Sequence, residues 1–193
     1  RVINGAAKAV VRLVEATEPE KPEKMVGSGF LVADGRVITS AQIFLDPAAT
    51  TTPTVDYRAV LADGRRVSIT RLDENQNSGD SPVAIFRLAD ANNLPVLKLT
   101  SSTPMIGQTV VALGVAPGSQ SGPAELNVSV GILSSFLSSG TSTAPFLMTN
   151  AVSSDNFGGP LLNTKGEVIG LNYKPGLALT ANAILDAIAS LLH

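Results

Sequence analysis

The chain has 193 residues, sixteen acidic against fourteen basic side chains, a formal net charge of −2 and no cysteine. It lacks the basic excess that nucleic-acid or anionic-membrane binding uses, and without a thiol it forms no disulfide, no thiolate metal site and no cysteine nucleophile. Its apolar runs fall well short of the roughly 20 residues of a spanning helix, so a sizeable buried core is the expected use of its hydrophobic side chains.

In chain order, Ala9-Val10-Val11-Arg12-Leu13-Val14 is rich in β-branched residues and predicts the first strand. Residues 18–24 are charged and carry prolines, which predicts a loop. Gly27-Ser28-Gly29-Phe30-Leu31-Val32, then Asp34-Gly35, then Val37-Ile38-Thr39-Ser40 predict a hairpin, because glycine supplies the positive φ of a tight turn. Asp63-Gly64 repeats the device between Val60-Leu61-Ala62 and Arg65-Arg66-Val67, and Lys165-Gly166 predicts a third hairpin. Residues 47–54 show no periodicity, and the polar stretch 73–80 precedes the strand Val83-Ala84-Ile85-Phe86-Arg87-Leu88. Pro95-Val96-Leu97-Lys98-Leu99 is expected to close a first barrel, with the crossover at residues 101–104.

In the second half, residues 108–115 and 126–133 predict strands separated by the glycine- and serine-rich stretch 117–123. Residues 134–145 are expected to form a loop holding Phe136 and Leu137, Phe146-Leu147-Met148-Thr149 leads into a polar loop, and Leu177-Ala178-Leu179-Thr180 is the last strand. From 181 to 192 the apolar positions Ile184, Ala187, Ile188, Leu191 and Leu192 take helical spacing, with Thr180 suited to cap the helix. A dozen short strands followed by one helix predict an all-β fold of two six-stranded antiparallel β-barrels with a C-terminal α-helix. The whole chain, 1–193, is read as one domain, with lobe one over about 1–100, lobe two over about 105–180 and the helix over 181–192.

The stretch most informative about chemistry is Thr149-Asn150-Ala151-Val152-Ser153-Ser154-Asp155-Asn156-Phe157-Gly158-Gly159-Pro160-Leu161-Leu162-Asn163, followed by Gly166-Glu167-Val168-Ile169-Gly170-Leu171-Asn172. It resembles the nucleophile loop of trypsin-like serine proteases of the HtrA/Deg family, which runs Gly-Asn-Ser-Gly-Gly-Pro-Leu-Leu-Asn and then Gly-Glu-Val-Ile-Gly-Ile-Asn. Asp34-Gly35-Arg36-Val37-Ile38-Thr39, Ile106-Gly107-Gln108-Thr109-Val110-Val111-Ala112-Leu113-Gly114 and Val130-Gly131-Ile132-Leu133-Ser134 extend the resemblance over nearly the whole chain.

The resemblance implies where a Ser-His-Asp triad would stand. Phe157 takes the serine position, Gln42 in Thr39-Ser40-Ala41-Gln42-Ile43-Phe44 takes the histidine position, and Pro82 takes the aspartate position, with Asp80 two residues away. A phenyl ring has no lone pair to attack a carbonyl, and a carboxamide accepts no proton near neutral pH. Asp155, beside Asn156, replaces the first glycine of the loop and brings a carboxylate to where an oxyanion would be bound. His193 is the sole histidine. The expectation is a pseudoprotease, catalytically inactive and without a cofactor.

Two roles are open for Phe157: filling the vacated cleft, or forming part of a new ligand surface. Gln42 is expected to hydrogen-bond across the old site. In the resembled family a peptide pairs as an added strand along the segment matching Ile169, Gly170, Leu171 and Asn172, and backbone pairing of that kind survives loss of catalytic side chains. Asp73, Asn75 and Asn77 place oxygen ligands at alternate positions as a calcium loop begins, with Asp80 following, but the glycine at 79 falls one place late and Ala84 stands where a glutamate belongs. A solvated loop is the better reading. The expected function is protein or peptide binding, as scaffold, regulator or partner of an active relative. The alternatives are a metal- or small-ligand-binding module and a residual serine-type peptidase with non-standard machinery. No nucleic acid and no membrane is expected as partner, a homo-oligomer or a hetero-oligomer with an active homologue is compatible with the reading, and the resemblance implies a bacterial periplasm or cell envelope.

Overall fold

A computed structural model describes residues 2–16, 23–44, 56–72, 81–115, 125–137 and 146–191. Strands β1 (Val10–Glu15), β2 (Lys24–Val32), β3 (Arg36–Ser40), β4 (Tyr57–Val60), β5 (Arg66–Arg71) and β6 (Val83–Leu88) close one antiparallel barrel in the order β1-β2-β3-β6-β5-β4. Strands β7 (Thr109–Val115), β8 (Leu126–Leu137), β9 (Phe146–Thr149), β10 (Pro160–Leu162), β11 (Val168–Lys174) and β12 (Leu177–Thr180) close a second in the order β10-β11-β12-β9-β8-β7. Among the described residues two α-helices flank them, α1 (Val2–Ala7) and α2 (Ala181–Ser190). The two six-stranded barrels and the terminal helix are those expected from the sequence; α1 is an addition to that expectation.

The turn chemistry holds. Asp34 and Gly35 both have positive φ, 62° and 66°, and Gly166 takes φ 82° at the β10–β11 turn. These values close tight hairpins whose twist matches that of the strands they join. At α2 the Thr180 hydroxyl accepts a 3.4 Å bond from the Ala183 N–H, as its capping role requires.

Two expectations are corrected. Residues 95–99 do not close the first barrel; pairing of β1 with β4, Arg12 opposite Val60 and Leu13 opposite Ala59, does so. Pro95 has no N–H to donate, and the segment instead ties the barrels together. Leu97 N–H donates to Leu31 O, Thr100 N–H to Val168 O and Val168 N–H to Lys98 O. Phe136 and Leu137 are strand, not loop: an irregularity between Leu133 and Ser135 lets β8 continue and pair Phe136 with Leu147 and Leu137 with Phe146. The serines around that irregularity conceal the alternation on which the sequence reading relied.

A larger core cluster runs through the first barrel and across to Leu113, Leu162, Leu171 and Ile184, while a second fills the other barrel with Val110, Leu133, Leu147, Leu161 and Ile169. Burying Phe30 or Phe86 fully, as here, is worth roughly 2–3 kcal/mol each. This continuity of apolar packing sets one barrel firmly against the other and makes the cleft between them a fixed feature.

Candidate active-site cleft

The first wall of the cleft is the 3₁₀ turn Ala41–Phe44 that ends β3. Its first N–H, of Ala41, donates to Pro82 O at 3.0 Å, and the Phe44 ring at its other end packs edge-on against Tyr57 with centroids 4.9 Å apart. Held at both ends, the turn carries Gln42 into the cleft. Pro82 therefore lies behind the wall and contributes a carbonyl to it.

The opposite wall is the loop from 150 to 160, and its conformation is held from beneath. Asn156 is fully buried, its Oδ1 accepting from Ser153 N–H at 3.0 Å and its Nδ2 donating to Ala151 O at 3.1 Å. Asn172, also fully buried, turns its Nδ2 to three carbonyls: Leu113 at 3.1 Å, Asn156 at 3.0 Å and Pro160 at 3.3 Å. Gly158 has φ 79°, and a Cβ there would collide with Ser28 O, so the chain passes only because the residue has no side chain. The backbone of Phe157 is pinned too, its carbonyl accepting from Ser28 N–H at 3.1 Å.

Between these walls lies a cleft of about 350 Å³, with Met25, Val26, Ile43, Val115 and Phe157 on its apolar surface and Gln42, Tyr173, Ser154 and Asp155 among its polar lining. Gln42 Nε2 donates to the Tyr173 hydroxyl at 2.6 Å, bridging the walls. The Tyr173 ring packs against Phe146, and burial pushes its phenol above the ordinary tyrosine value, so it stays protonated at neutral pH. The half-buried Phe157 packs against the core of the second barrel. The exposed Asp155 accepts from the Ser154 hydroxyl at 3.3 Å.

The structure thus brings Gln42, Phe157 and Asp155 to one cleft. Asn156, expected beside Asp155 as part of a degenerate oxyanion loop, is turned into the interior, where both ends of its amide are used to hold the loop. Tyr173 was not singled out from the sequence; the available signal was an aromatic residue directly after the Ile169-Gly170-Leu171-Asn172 match. Asp73, Asn75, Asn77, Asp80 and His193 lie outside the described residues. Among the described residues no group of three or more His, Cys, Asp or Glu is placed to hold a metal ion.

The expected peptide edge is also corrected. Gly170 and Leu171 are paired on both sides, with Leu161 and Pro160 of β10 and with Thr180 and Leu179 of β12. Asn172 is opposite Ala178, its N–H donates to Gly159 O and its carbonyl accepts from Gly158 N–H. Ile169 is a buried member of the second core. A strand with neighbours on both edges has no backbone groups left for a guest. The chain leaves the ladder only at Tyr173, where the β11–β12 register shifts, and the following Pro175 has no N–H to offer.

Residues 27–171 match the sequence profile of the Trypsin-like peptidase domain. The chain belongs to the trypsin-like peptidase family. Within it the relatives place the chain in the HtrA/Deg branch. It is 32% identical over 163 residues to the putative serine protease HhoB of Synechocystis sp., covering 80% of this chain and 35% of that protein. It is 35% identical over 157 residues to the mitochondrial serine protease HTRA2 of Drosophila willistoni, covering 76% and 32%. The probable periplasmic serine endoprotease DegP-like of Pseudomonas fluorescens is 31% identical over 158 residues, covering 79% and 30%. The chain therefore spans about a third of the length of these relatives. Among solved structures, the HtrA-type protease AlgW with decapeptide superposes with a TM-score of 0.76 at 20% identity over 99% of this chain and 66% of that one. A serine endoprotease from Yersinia pestis gives 0.73 at 24% identity over 98% and 65%. Both carry the same fold.

In this HtrA/Deg domain the cleft offers one phenol, the hydroxyls of Ser28 and Ser154, the Asp155 carboxylate and the Gln42 amide. The Ser28 hydroxyl is already engaged, accepting from Val115 N–H at 2.9 Å. An amide bonded to a phenol and a phenyl ring packed on the core can orient and bury a guest side chain. A carboxamide accepts no proton near neutral pH, and a phenyl ring has no lone pair to attack a carbonyl.

Proposed function

We propose that this HtrA/Deg domain is a catalytically inert pseudoprotease that works by holding protein or peptide in the cleft between its barrels, as a regulator or partner of an active relative. The observation that carries the reading is the 2.6 Å bond from Gln42 to Tyr173, with Phe157 in the same cleft: the two residues that the resemblance puts at the base and nucleophile positions offer an amide engaged by a phenol and a phenyl ring. Supporting it is the edge of β2 at Met25 and Val26. Strand β3 pairs with β2 only at Phe30, Leu31 and Val32, so among the described residues no strand pairs with that edge at Met25 and Val26, where an extended guest would find backbone groups with apolar side chains beside them. The DegP-like relatives support a bacterial envelope location.

A fluorogenic casein assay tests the reading. The wild-type domain is expected to hydrolyse no faster than buffer while the same labelled fragments bind it intact. The combined variant Gln42→His, Pro82→Asp, Phe157→Ser is expected to gain turnover. In working serine proteases, loss of one triad member alone costs on the order of ten-thousand-fold. Wild-type hydrolysis that persists through repurification and disappears in Phe157→Ala would overturn the proposal.

A further inference from the structure

Strand β8 is shared unequally between its neighbours. Its first part, Leu126 to Ile132, pairs with β7 alone, and its second, Leu133 to Leu137, pairs with β9. The direction of its free backbone groups follows from two bonds. Leu133 N–H donates toward the β7 side, to Gln108 O at 3.0 Å, whereas Ile132 N–H points the other way, to the Asn150 side-chain Oδ1 at 3.1 Å. Bonding direction alternates along an antiparallel strand, and the β7–β8 register is unbroken, so Leu126, Val128 and Val130 point their N–H and C=O groups the same way as Ile132. Among the described residues nothing bonds to them. Asn150 marks where this open edge stops, its amide oxygen standing in for a strand carbonyl.

The side chains at these positions are equally unprotected. Leu126, Val128, Val130 and Ile132 are 37%, 44%, 62% and 53% exposed. Exposed edges are ordinarily guarded by lysine, proline or an inward charge, and the twelve residues of β8 contain no charged residue and no proline.

We infer that the edge of β8 at residues 126–130 pairs antiparallel with the same edge of a second copy, joining the two second barrels into one continuous sheet across a two-fold axis. Absence of charge selects this occupant. Self-pairing sets like against like, so any charge near the axis would oppose its own sign, a penalty that a strand of different sequence would not impose. With the axis at Val128, Val128 faces Val128, Leu126 faces Val130, and Glu125 faces Gly131 instead of another glutamate. Every open N–H and C=O from 126 to 130 finds a partner in that register. The inference is independent of whether the cleft is catalytic.

The chain has no cysteine, so a single introduced thiol reports the register. Residues opposed in a hydrogen-bonded antiparallel pair have Cα atoms about 5.5 Å apart. Val128→Cys is expected to cross-link to itself with a short bismaleimide at least about tenfold faster than Val96→Cys, a similarly exposed position on the interbarrel connector. Sedimentation velocity is expected to show a concentration-dependent dimer for the wild type and a monomer for Val128→Lys, with unchanged circular dichroism and melting. A wild type that stays monomeric at every concentration overturns the assignment to a second copy. So does a Val128→Cys that links no faster than Val96→Cys, or a dimer that survives in Val128→Lys.

Discussion

On its buried side the loop from 150 to 160 is held by the amides of Asn156 and Asn172 and by glycines through whose space another backbone passes. On its cleft side stand Asp155 and the phenyl ring of Phe157, facing Gln42 across the gap. The first set matches the family pattern residue by residue at Asn156, Gly158, Gly159, Pro160 and Asn172; the second departs from it. The difference teaches that the groups which shape an active-site loop are not those which react in it. A buried amide left without partners costs roughly 1–3 kcal/mol, so the loop's shape is tied to the stability of the whole domain. A cleft-facing side chain carries no such obligation and is free to change.

The contrast is broken most severely at Gly158. Alanine there would meet Ser28 O and be forced to positive φ, and the domain is expected to lose about 4 kcal/mol or more of unfolding free energy in urea. A loss below about 1 kcal/mol would mean the loop adapts and its shape is not fixed from beneath. Asn172→Ala comes next: three carbonyls lose their side-chain donor, for an expected cost of about 2–3 kcal/mol by the same measurement. Unchanged stability would show that solvent replaces the amide.

The cleft side sharpens the comparison with smaller effects. Gln42→Ala and Tyr173→Phe are each expected to cost about 1 kcal/mol, and the double variant little more than either, because both remove the same half-buried bond. Strictly additive losses in that double-mutant cycle would mean the bridge contributes nothing to holding the walls together.

Much of the fold is legible in the residues. Asp34-Gly35 and Lys165-Gly166 announce their turns, and the helix beginning after Thr180 follows from the spacing of Ile184, Ala187 and Ile188. Where the reading failed, a local pattern was overruled by distant partners. Residues 95–99 look like a strand but bond to Leu31 and Val168 as a strap, and the serines of β8 hide a continuation that only the arrival of β9 makes visible. In the site, Gln42 and Phe157 were found by their place in a family motif. Tyr173, 131 residues from its partner Gln42, was not.

The order of apolar and polar residues, together with glycines able to take positive φ, determined most of the strands, their turns and the terminal helix. Those are properties of a few neighbouring residues at a time. Which hydrogen-bonding edges are spent and which are open was decided only when the barrels closed. Closure filled both sides of residues 170–172 and, among the described residues, left residues 126–130 paired on one side only, because a strand's free edge depends on the length and register of its neighbours, which its own residues do not encode.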